Sequence, residues 1–335
     1  MVVAPLDVKR TDELRSLLAG MNRVPGMADP DNELIPFGQL PDLHFARIVI
    51  LEDQTLDDIT TAYGLPRRNY PLYLAFLADF DGDVDRFRNQ MISLSRKGLE
   101  QIFSFCTDFK PGTDIDRWMK QHEHRPATMY INWVGRTMEQ IREENTLRQV
   151  VQTFVFNGGS QFQKSSPEEI RRAVKDFVQQ KVKLTSIGKM PLSWRIKNLL
   201  HLIFVPLLLL FLAPLFILYL PIFVFQLRRR EKRDMEIAPR PSAEYVKRLS
   251  RIEDYDVTNQ FTAMGSLKPG LFRRWLLVTL LWLIQYTTRH IYNRGHLARV
   301  STIHFARWVW IDNKKRLVFC SNYDGSLESY MDDFI

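Results

Sequence analysis

Residues 41–51 read PDLHFARIVIL, and residues 301–311 read STIHFARWVWI. The two stretches share the tetrapeptide His-Phe-Ala-Arg, which begins at His44 and again at His304, 260 positions later. Each stretch is apolar on both faces when it is drawn as a strand, because successive strand side chains point to opposite sides. The pattern therefore predicts two strands that are covered on both sides.

A second block follows each copy. Residues 72–87 read LYLAFLADFDGDVDRF, and residues 316–330 read RLVFCSNYDGSLESY, with 17 extra residues between the two blocks of the first copy. Both blocks are apolar up to an Asp-Gly turn dipeptide, at Asp81-Gly82 and at Asp324-Gly325. Two matching blocks in the same order indicate an internal duplication.

The duplicated unit reads as strand, turn, strand and then helix, since Val84, Phe87, Met91 and Leu94 recur at helical spacing. Alternation along the first strand places Phe45 and Arg47 on one face and His44 on the other. By analogy with other duplicated units that pack sheet to sheet, we predict an α+β fold. It would consist of duplicated ferredoxin-like units that form an α+β barrel-type domain, interrupted by a membrane-inserted helical segment.

Composition limits the class of protein. The chain has 335 residues, a formal net charge of +8 and 45% hydrophobic residues, which is ample for a core. Cys106 and Cys320 are too few for a disulfide framework and lack metal-ligand spacing, so we expect buried free thiols. The first residues contain no apolar core of signal-peptide length. These features favour a reducing compartment.

An uncharged apolar run extends from Leu199 to Phe225, which is 27 residues. A membrane-spanning helix needs only ~20. Three prolines interrupt the run, at Pro206, Pro214 and Pro221, and each removes a backbone hydrogen bond. Basic residues flank both ends of the run, and such residues favour the cytoplasmic side. We therefore predict a membrane-associated protein with the repeat domain on the cytoplasmic side.

Both repeat copies must share a compartment if they pack together, and two geometries satisfy this condition. The apolar run folds into a re-entrant hairpin near Pro214, or it crosses once and the segment Trp275–Tyr286 crosses back. That segment has 12 residues, only ~18 Å of helix against a hydrocarbon core of ~30 Å. A hairpin or a monotopic anchor is therefore favoured.

The basic residues concentrate beside the apolar segments, so the expected partner is anionic membrane lipid and not nucleic acid. A homo-oligomer and a small-molecule ligand of unknown identity stay open. Ser166 and Glu169 form a capping box that predicts a helix beginning at Pro167. The predicted segments are an N-terminal helix and loop (1–40), a first ferredoxin-like repeat with added helices (41–190), a membrane-inserted segment (191–230), a charged connector with an interfacial helix (231–298) and the start of a second repeat, incomplete at its end (299–335).

Familiar catalytic motifs are missing from the sequence: there is no Walker-type phosphate loop, no GxSxG and no HExxH. The acidic residues Asp79, Asp81, Asp83 and Asp85 suggest calcium, but an EF-hand loop needs a Glu where this chain has Gln90. A solvated acidic turn explains them better.

The turns Ala78-Asp79-Phe80-Asp81-Gly82 and Ser321-Asn322-Tyr323-Asp324-Gly325 resemble the Gly-x-x-Asp-Gly motif of the dye-decolorising peroxidase superfamily and its dimeric α+β barrel relatives. The first Gly of the motif is replaced in both copies. The resemblance covers the repeat blocks, about 100 residues, and does not include the apolar run.

This resemblance implies a haem cofactor and a membrane-anchored, peroxidase-like oxidoreductase. In that family an Asp lies on the distal side of the haem with an Arg nearby, and a His binds the iron. The matching catalytic residues here are Asp324, Arg307, Asp81 and Arg47, the residues that would contact the cofactor are His304, His44, Gly325 and Gly82, and the candidate iron ligands are His304 and His296, with His44 and His290 as further choices.

Strand geometry sets a condition on this hypothesis. His304 and Arg307 differ by three positions along one strand, so they should face opposite sides of the sheet. Two other functions stay open. One is a non-catalytic membrane-associated module that binds a ligand or a partner. The other is a lipid-modifying enzyme, for which the sequence offers no nucleophile constellation.

Overall fold

Two antiparallel sheets pack face to face, and helices cover their outer sides. The chain is described here from a computed structural model, over residues 1–53, 55–66, 68–181, 190–235, 242–251 and 258–332. It is 52% helical and 21% strand, which makes it an α+β protein. The predicted α+β class is confirmed.

The strands, in chain order, are β1 (Val2–Pro5), β2 (Asn22–Val24), β3 (Met27–Ala28), β4 (Leu43–Leu51), β5 (Tyr73–Phe80), β6 (Thr128–Ile131), β7 (Thr258–Ser266), β8 (Ile303–Ile311) and β9 (Arg316–Asp324). The helices are α1 (Thr11–Ala19), α2 (Leu56–Ala62), α3 (Val84–Phe103), α4 (Ile115–Gln121), α5 (Met138–Gln163), α6 (Pro167–Lys181), α7 (Leu192–Glu231), α8 (Ala243–Ser250), α9 (Leu271–His290) and α10 (Leu327–Asp332). Helix α6 begins at the predicted capping box, where Glu169 accepts from the Ser166 N–H at 2.8 Å.

Three strands of each sheet lie in a corresponding order, and the second sheet has β6 as a fourth strand. The first is β1-β5-β4, and the second is β6-β8-β9-β7. When β2, β3 and α2 are left out as insertions, each three-stranded series has the order strand, helix, strand, strand, helix. The first is β1, α1, β4, β5, α3, and the second is β7, α9, β8, β9, α10. The third strand of each series, β5 or β9, lies between the first and the second strand of that series.

Register agrees as closely as strand order. Phe45 pairs with Asp79 in the first sheet, and Phe305 pairs with Asn322 in the second. In both sheets the register shifts by one residue just before that pair, so His44 and His304 each lie at an irregularity of their strand. Such a bulge turns the side chain away from regular alternation.

The inner faces of the sheets form one apolar layer. It joins residues of the first sheet to residues of the second: Val3, Leu51, Ala75 and Leu77 with Met264, Val309, Ile311, Val318 and Cys320. The outer face of the first sheet packs on α1, α3 and α4 through residues such as Leu14, Leu99 and Trp118. The largest layer of burial therefore lies between the first sheet and its own helices, with a second layer between the sheets.

Strand pairing crosses three of the predicted segment boundaries. Strand β1 lies within 1–40 but pairs with β5, and β6 lies within 41–190 but pairs with β8. The connector 231–298 contains β7 and α9, which belong to the second unit. A strand of four residues, or one as polar as TNQFTAMGS, carries too little periodicity to be recognised. Residues 333–335 of the last predicted segment lie outside the described residues.

Helix α7 overturns the predicted hairpin. It continues for 40 residues through Pro206, Pro214 and Pro221. Helix α9 is also longer than the 12 residues predicted, with 20 residues, or ~30 Å. Each proline removes one backbone hydrogen bond, and the bonds of the residues between the prolines keep the helix continuous. Within the described ranges, α7 is the one helix long and apolar enough to span a membrane.

Candidate functional site

Arg47 and Arg307, the arginines of the two His-Phe-Ala-Arg blocks, cross between the sheets. Arg47 of the first sheet donates to the carbonyl oxygens of Phe261 (2.6 Å) and Ser321 (2.7 Å) in the second. It also donates to Thr262 Oγ1 at 2.8 Å and to Asn322 Oδ1 at 2.5 Å. Its guanidinium is therefore bound entirely to the opposite unit in these four contacts.

Arg307 makes the reciprocal crossing. It forms a buried ion pair with Asp79 of the first sheet and donates to the Ala78 carbonyl at 3.4 Å. Asp79 and Asn322 occupy equivalent register positions, and Asn322 Nδ2 donates to Asp79 Oδ2 at 3.4 Å. We call Arg47, Asp79, Arg307 and Asn322 the arginine cluster.

The arginine cluster holds two guanidinium groups and one carboxylate, so its formal charge is positive. Burial lowers the pKa of Arg47 and lowers that of Arg307 to about 10, so both stay cationic at neutral pH. Asp79 is 6% exposed, which contradicts its assignment to a solvated turn. Burying a charged group costs free energy unless it has close partners, and each arginine has its partners in the opposite unit.

The aspartates of the two Asp-Gly turns contact the histidines of the two His-Phe-Ala-Arg blocks. His44 Nε2 lies 3.0 Å from Asp81 Oδ1, and His304 Nε2 lies 2.9 Å from Asp324 Oδ2. Asp81 also accepts from the Met138 N–H at 2.7 Å. In each copy the aspartate therefore fixes the histidine of its own unit.

The turns and rings around these pairs complete the arrangement. Gly82 and Gly325 have φ of 89° and 87°, a left-handed conformation that side chains other than glycine rarely adopt. The Phe45 and Phe305 rings meet edge to face at 5.7 Å, and each of these rings packs on the histidine of the other copy, at 6.0 and 5.4 Å. The His-Phe-Ala-Arg blocks thus contact each other across the interface.

Haem does not fit these residues. The cavity beside the arginine cluster has a volume of about 10 Å³, which suffices for a water molecule. Arg47 also lines a pocket of about 690 Å³, but the described residues that line it include no His or Cys to bind iron. The Nε2 atoms of His44 and His304, which would have to bind iron, lie against carboxylates. Within the described ranges no group of three His, Cys, Asp or Glu side chains could hold a metal ion.

The other two candidate iron ligands lie elsewhere. His296 packs against the Tyr292 ring at 6.3 Å, and His290 Nε2 lies 2.8 Å from His201 Nδ1. The structure thus brings Arg47 and Arg307 together and places the histidines and aspartates at the turns. Sequence reasoning missed Asp79 and Asn322 as the partners of the arginines. A polar residue at the same position of two otherwise apolar strands was the available signal.

The burial of the two cysteine thiols leads to a testable prediction about their reactivity. Burial raises the pKa of Cys320 and raises that of Cys106 to about 12. For Cys106, this higher pKa lowers the thiolate fraction at neutral pH about 10³-fold. We expect neither cysteine of the folded protein to react with Ellman's reagent at pH 7, and both to react at once in guanidinium chloride. Rapid reaction of the native protein would contradict the burial of these two side chains.

A second feature lies outside the sheets, where α9 binds the edge of the second sheet. Thr128 Oγ1 donates to the Leu281 carbonyl at 2.6 Å, and Thr288 Oγ1 donates to the Met129 carbonyl at 3.0 Å. Gln285 Oε1 accepts from the Met129 N–H at 2.7 Å. These bonds hold α9 firmly on strand β6.

Helix α7 runs antiparallel to α9 and contacts it at both ends. Near its start, Asn198 Oδ1 accepts from Arg289 Nε at 2.7 Å, and the Leu202 carbonyl accepts from the Tyr286 hydroxyl at 3.1 Å. Toward its end, the Phe223 ring lies 5.6 Å from that of Phe272. Both ends of α7 are therefore tied to one helix of the α+β domain.

Asp234 adds a polar anchor just beyond α7. It forms ion pairs with Arg273 and with Lys268, the latter at 3.1 Å, and it accepts from the Tyr63 hydroxyl at 2.7 Å. Desolvation and this hydrogen bond raise the pKa of Tyr63 to about 12, so the hydroxyl keeps its proton.

The outer face of α7 is bare. Phe211, Leu218 and Leu210 are 79%, 78% and 71% exposed, and Val205 is the buried residue of the helix. Contiguous apolar surface on this scale marks a site of association.

No protein-family model, curated protein or solved structure matches this chain.

Proposed function

We propose that this protein is a monotopic membrane-associated binding module, in which two duplicated ferredoxin-like units are held on the lipid surface by α7 and α9. The observation that carries the proposal is the attachment of an apolar, outward-facing helix to the domain at both of its ends. The anchor is thereby part of the folded domain.

The duplication is supported by three agreements. The strand orders match, the strands share one register with the same bulge, and the arginines cross reciprocally. Chance likeness of a tetrapeptide would not reproduce all three. The strand–helix–strand–strand–helix order of each unit agrees with the first five of the six elements of a ferredoxin-like unit.

A flat placement of α7 follows from its contacts. If α7 crossed the bilayer, α9 would enter the lipid beside it and carry strand β6 toward the hydrocarbon. The irregular loops on either side of β6 would then meet lipid, where each unsatisfied backbone group costs several kcal/mol. Lying in the interface avoids this cost and leaves the basic flanks, Lys197 and Arg228–Arg233, on one surface. The positive residues favour the cytoplasmic side for that surface and for the domain.

The arginine cluster supports binding without catalysis. Its polar groups are engaged with one another, and the cavity enclosed beside them admits little more than a water molecule. Arg47 also lines a larger pocket of about 690 Å³, whose described lining includes no His or Cys. A catalytic centre needs room for a reacting group within hydrogen-bond reach of an acid or base. The cluster instead joins the two units. Arg47 and Arg307, which the resemblance assigned to peroxidase chemistry, make the contacts that join them.

The test is retention on native membranes. After washing with high salt and then with alkaline carbonate, we expect the full-length protein to stay in the membrane pellet and to leave it only in detergent. Release by salt alone would mean purely electrostatic attachment, and a soluble protein in the unwashed lysate would mean none. Either result would refute the proposal.

A further inference from the structure

We propose that a basic pocket at the start of α9 binds the phosphomonoester headgroup of an anionic lipid. The pocket has a volume of about 290 Å³, and the cations that line it are Arg68, Lys268, Arg274, Lys314 and Lys315. Among the described residues its lining includes no Asp or Glu. The inference rests on the proposed membrane association and adds to it a defined ligand class.

Most of this charge is not neutralised by the protein. Lys268 pairs with Asp234 at 3.1 Å, and Arg68 donates to the Tyr70 hydroxyl at 3.1 Å. In the part of the chain that the structure describes, Arg274, Lys314 and Lys315 have no carboxylate partner. Three cations that converge on one cavity without an anion repel each other, and a bound anion removes that repulsion.

The pocket arises where the two repeats differ. The short turn between β8 and β9 presents Lys314 and Lys315, and three successive residues of it, Asp312, Asn313 and Lys314, have φ of 50°, 53° and 62°. The first repeat has α2 and a longer loop at the equivalent place, and that insertion supplies Arg68. Non-glycine residues held in the left-handed region cluster at functional sites.

The position of the pocket points to lipid. Leu271, which lines the pocket, is 66% exposed, and Trp275, one turn later, is 68% exposed. The neighbouring Phe272 packs on Phe223 near the end of the apolar run, and the Arg230 guanidinium lies over the Phe272 ring at 4.4 Å. Exposed Trp beside basic residues is typical of the headgroup level of a membrane.

The charge and size of the pocket favour a phosphomonoester. A phosphomonoester carries about −1.5 to −2 charges at pH 7, whereas the diester of most phospholipids carries one. Arg and Lys bind such oxygens by charge-assisted hydrogen bonds. The volume lies just below the ~300–1,000 Å³ of drug-sized sites, so the polar head enters while the acyl chains stay with the exposed Leu271 and Trp275.

The experiment titrates detergent-purified full-length protein with three probes: dioctanoyl phosphatidic acid, dioctanoyl phosphatidylglycerol and inorganic phosphate. We expect phosphatidic acid to bind at least about tenfold more tightly than either other probe. The variant R274Q/K314Q/K315Q is expected to lose at least about tenfold in affinity for phosphatidic acid. The control R171Q/R172Q/K175Q removes three exposed cations from α6 and should change the affinity less than about twofold.

Each other outcome overturns part or all of the inference. Equal binding of phosphatidic acid and phosphatidylglycerol would refute the monoester, and equal binding of inorganic phosphate would refute the lipid. Unchanged affinity of a folded triple variant would refute the pocket. If the triple variant does not fold, K315Q alone is measured in the same way, and the expected loss is severalfold. Failure here would leave retention after carbonate washing intact, so it is distinguishable from failure of the proposed function.

Discussion

The variant D79N is expected to lose about 3–5 kcal/mol of unfolding free energy, because it removes one partner of a buried ion pair and leaves Arg307 uncompensated. Both side chains are well buried, at 6% and 7% exposure, so water cannot take the place of the carboxylate. Chemical denaturation of the full-length protein in detergent measures the loss. The control D31N alters a carboxylate with 68% exposure and should stay within about 0.5 kcal/mol of the native protein.

The near-symmetry of the arginine cluster allows a sharper version. Asn322 already accepts from Arg47 at 2.5 Å, at the position equivalent to Asp79. In D79N/N322D the single carboxylate moves to the other unit and pairs with Arg47. We expect the double variant to recover more than half of the stability that D79N loses, as a coupling between neighbours. A double variant less stable than D79N would contradict the equivalence of the two positions.

The second large effect concerns the anchor. F211D/L218D places two carboxylates on the bare face of α7, where each costs up to about 2.5–3.5 kcal/mol in an apolar membrane environment. The two side chains are 79% and 78% exposed, so the fold itself should be unaffected. We expect the membrane-bound fraction after carbonate washing to fall about a hundredfold or more.

A matched pair of charges controls for the change in net charge. Q179D/Q180D places two carboxylates at exposed positions of α6, away from α7, and should leave membrane retention as it is. If F211D/L218D stayed in the pellet as completely as the native protein, the face of α7 would not be the lipid-binding surface. In that case the exposed apolar residues would serve contact with another protein.

Strands β4 and β8, which contain the two His-Phe-Ala-Arg blocks, could be predicted because their apolar pattern lies within a few consecutive residues. The blocks at 41–51 and 301–311 became β4 and β8, with the alternation expected for them. Strands β1 and β7 were missed because four apolar residues or a polar run have no distinctive period. Their place is decided by long-range pairing with β5 and β9, which one sequence does not display.

The site was predicted in its parts and not in its connections. The sequence identified Arg47 and Arg307 through the repeat, but a one-residue bulge and the packing of two sheets decide what each arginine meets. Asp79 was assigned to a solvated turn since it lies among other acidic residues. In the same way the prolines of α7 suggested a hairpin, whereas α7 is one continuous helix that contacts α9 near both of its ends.

The most direct test asks whether both ends of α7 lie on the same side of the bilayer. Single cysteines at K197C and R229C are treated with a membrane-impermeant maleimide in sealed native vesicles, with Q179C on α6 as the reference for the domain; the native thiols are buried. We predict that all three positions are labelled together, or protected together until detergent is added. Labelling of one end of α7 and protection of the other would show that the helix crosses the membrane and would contradict the account.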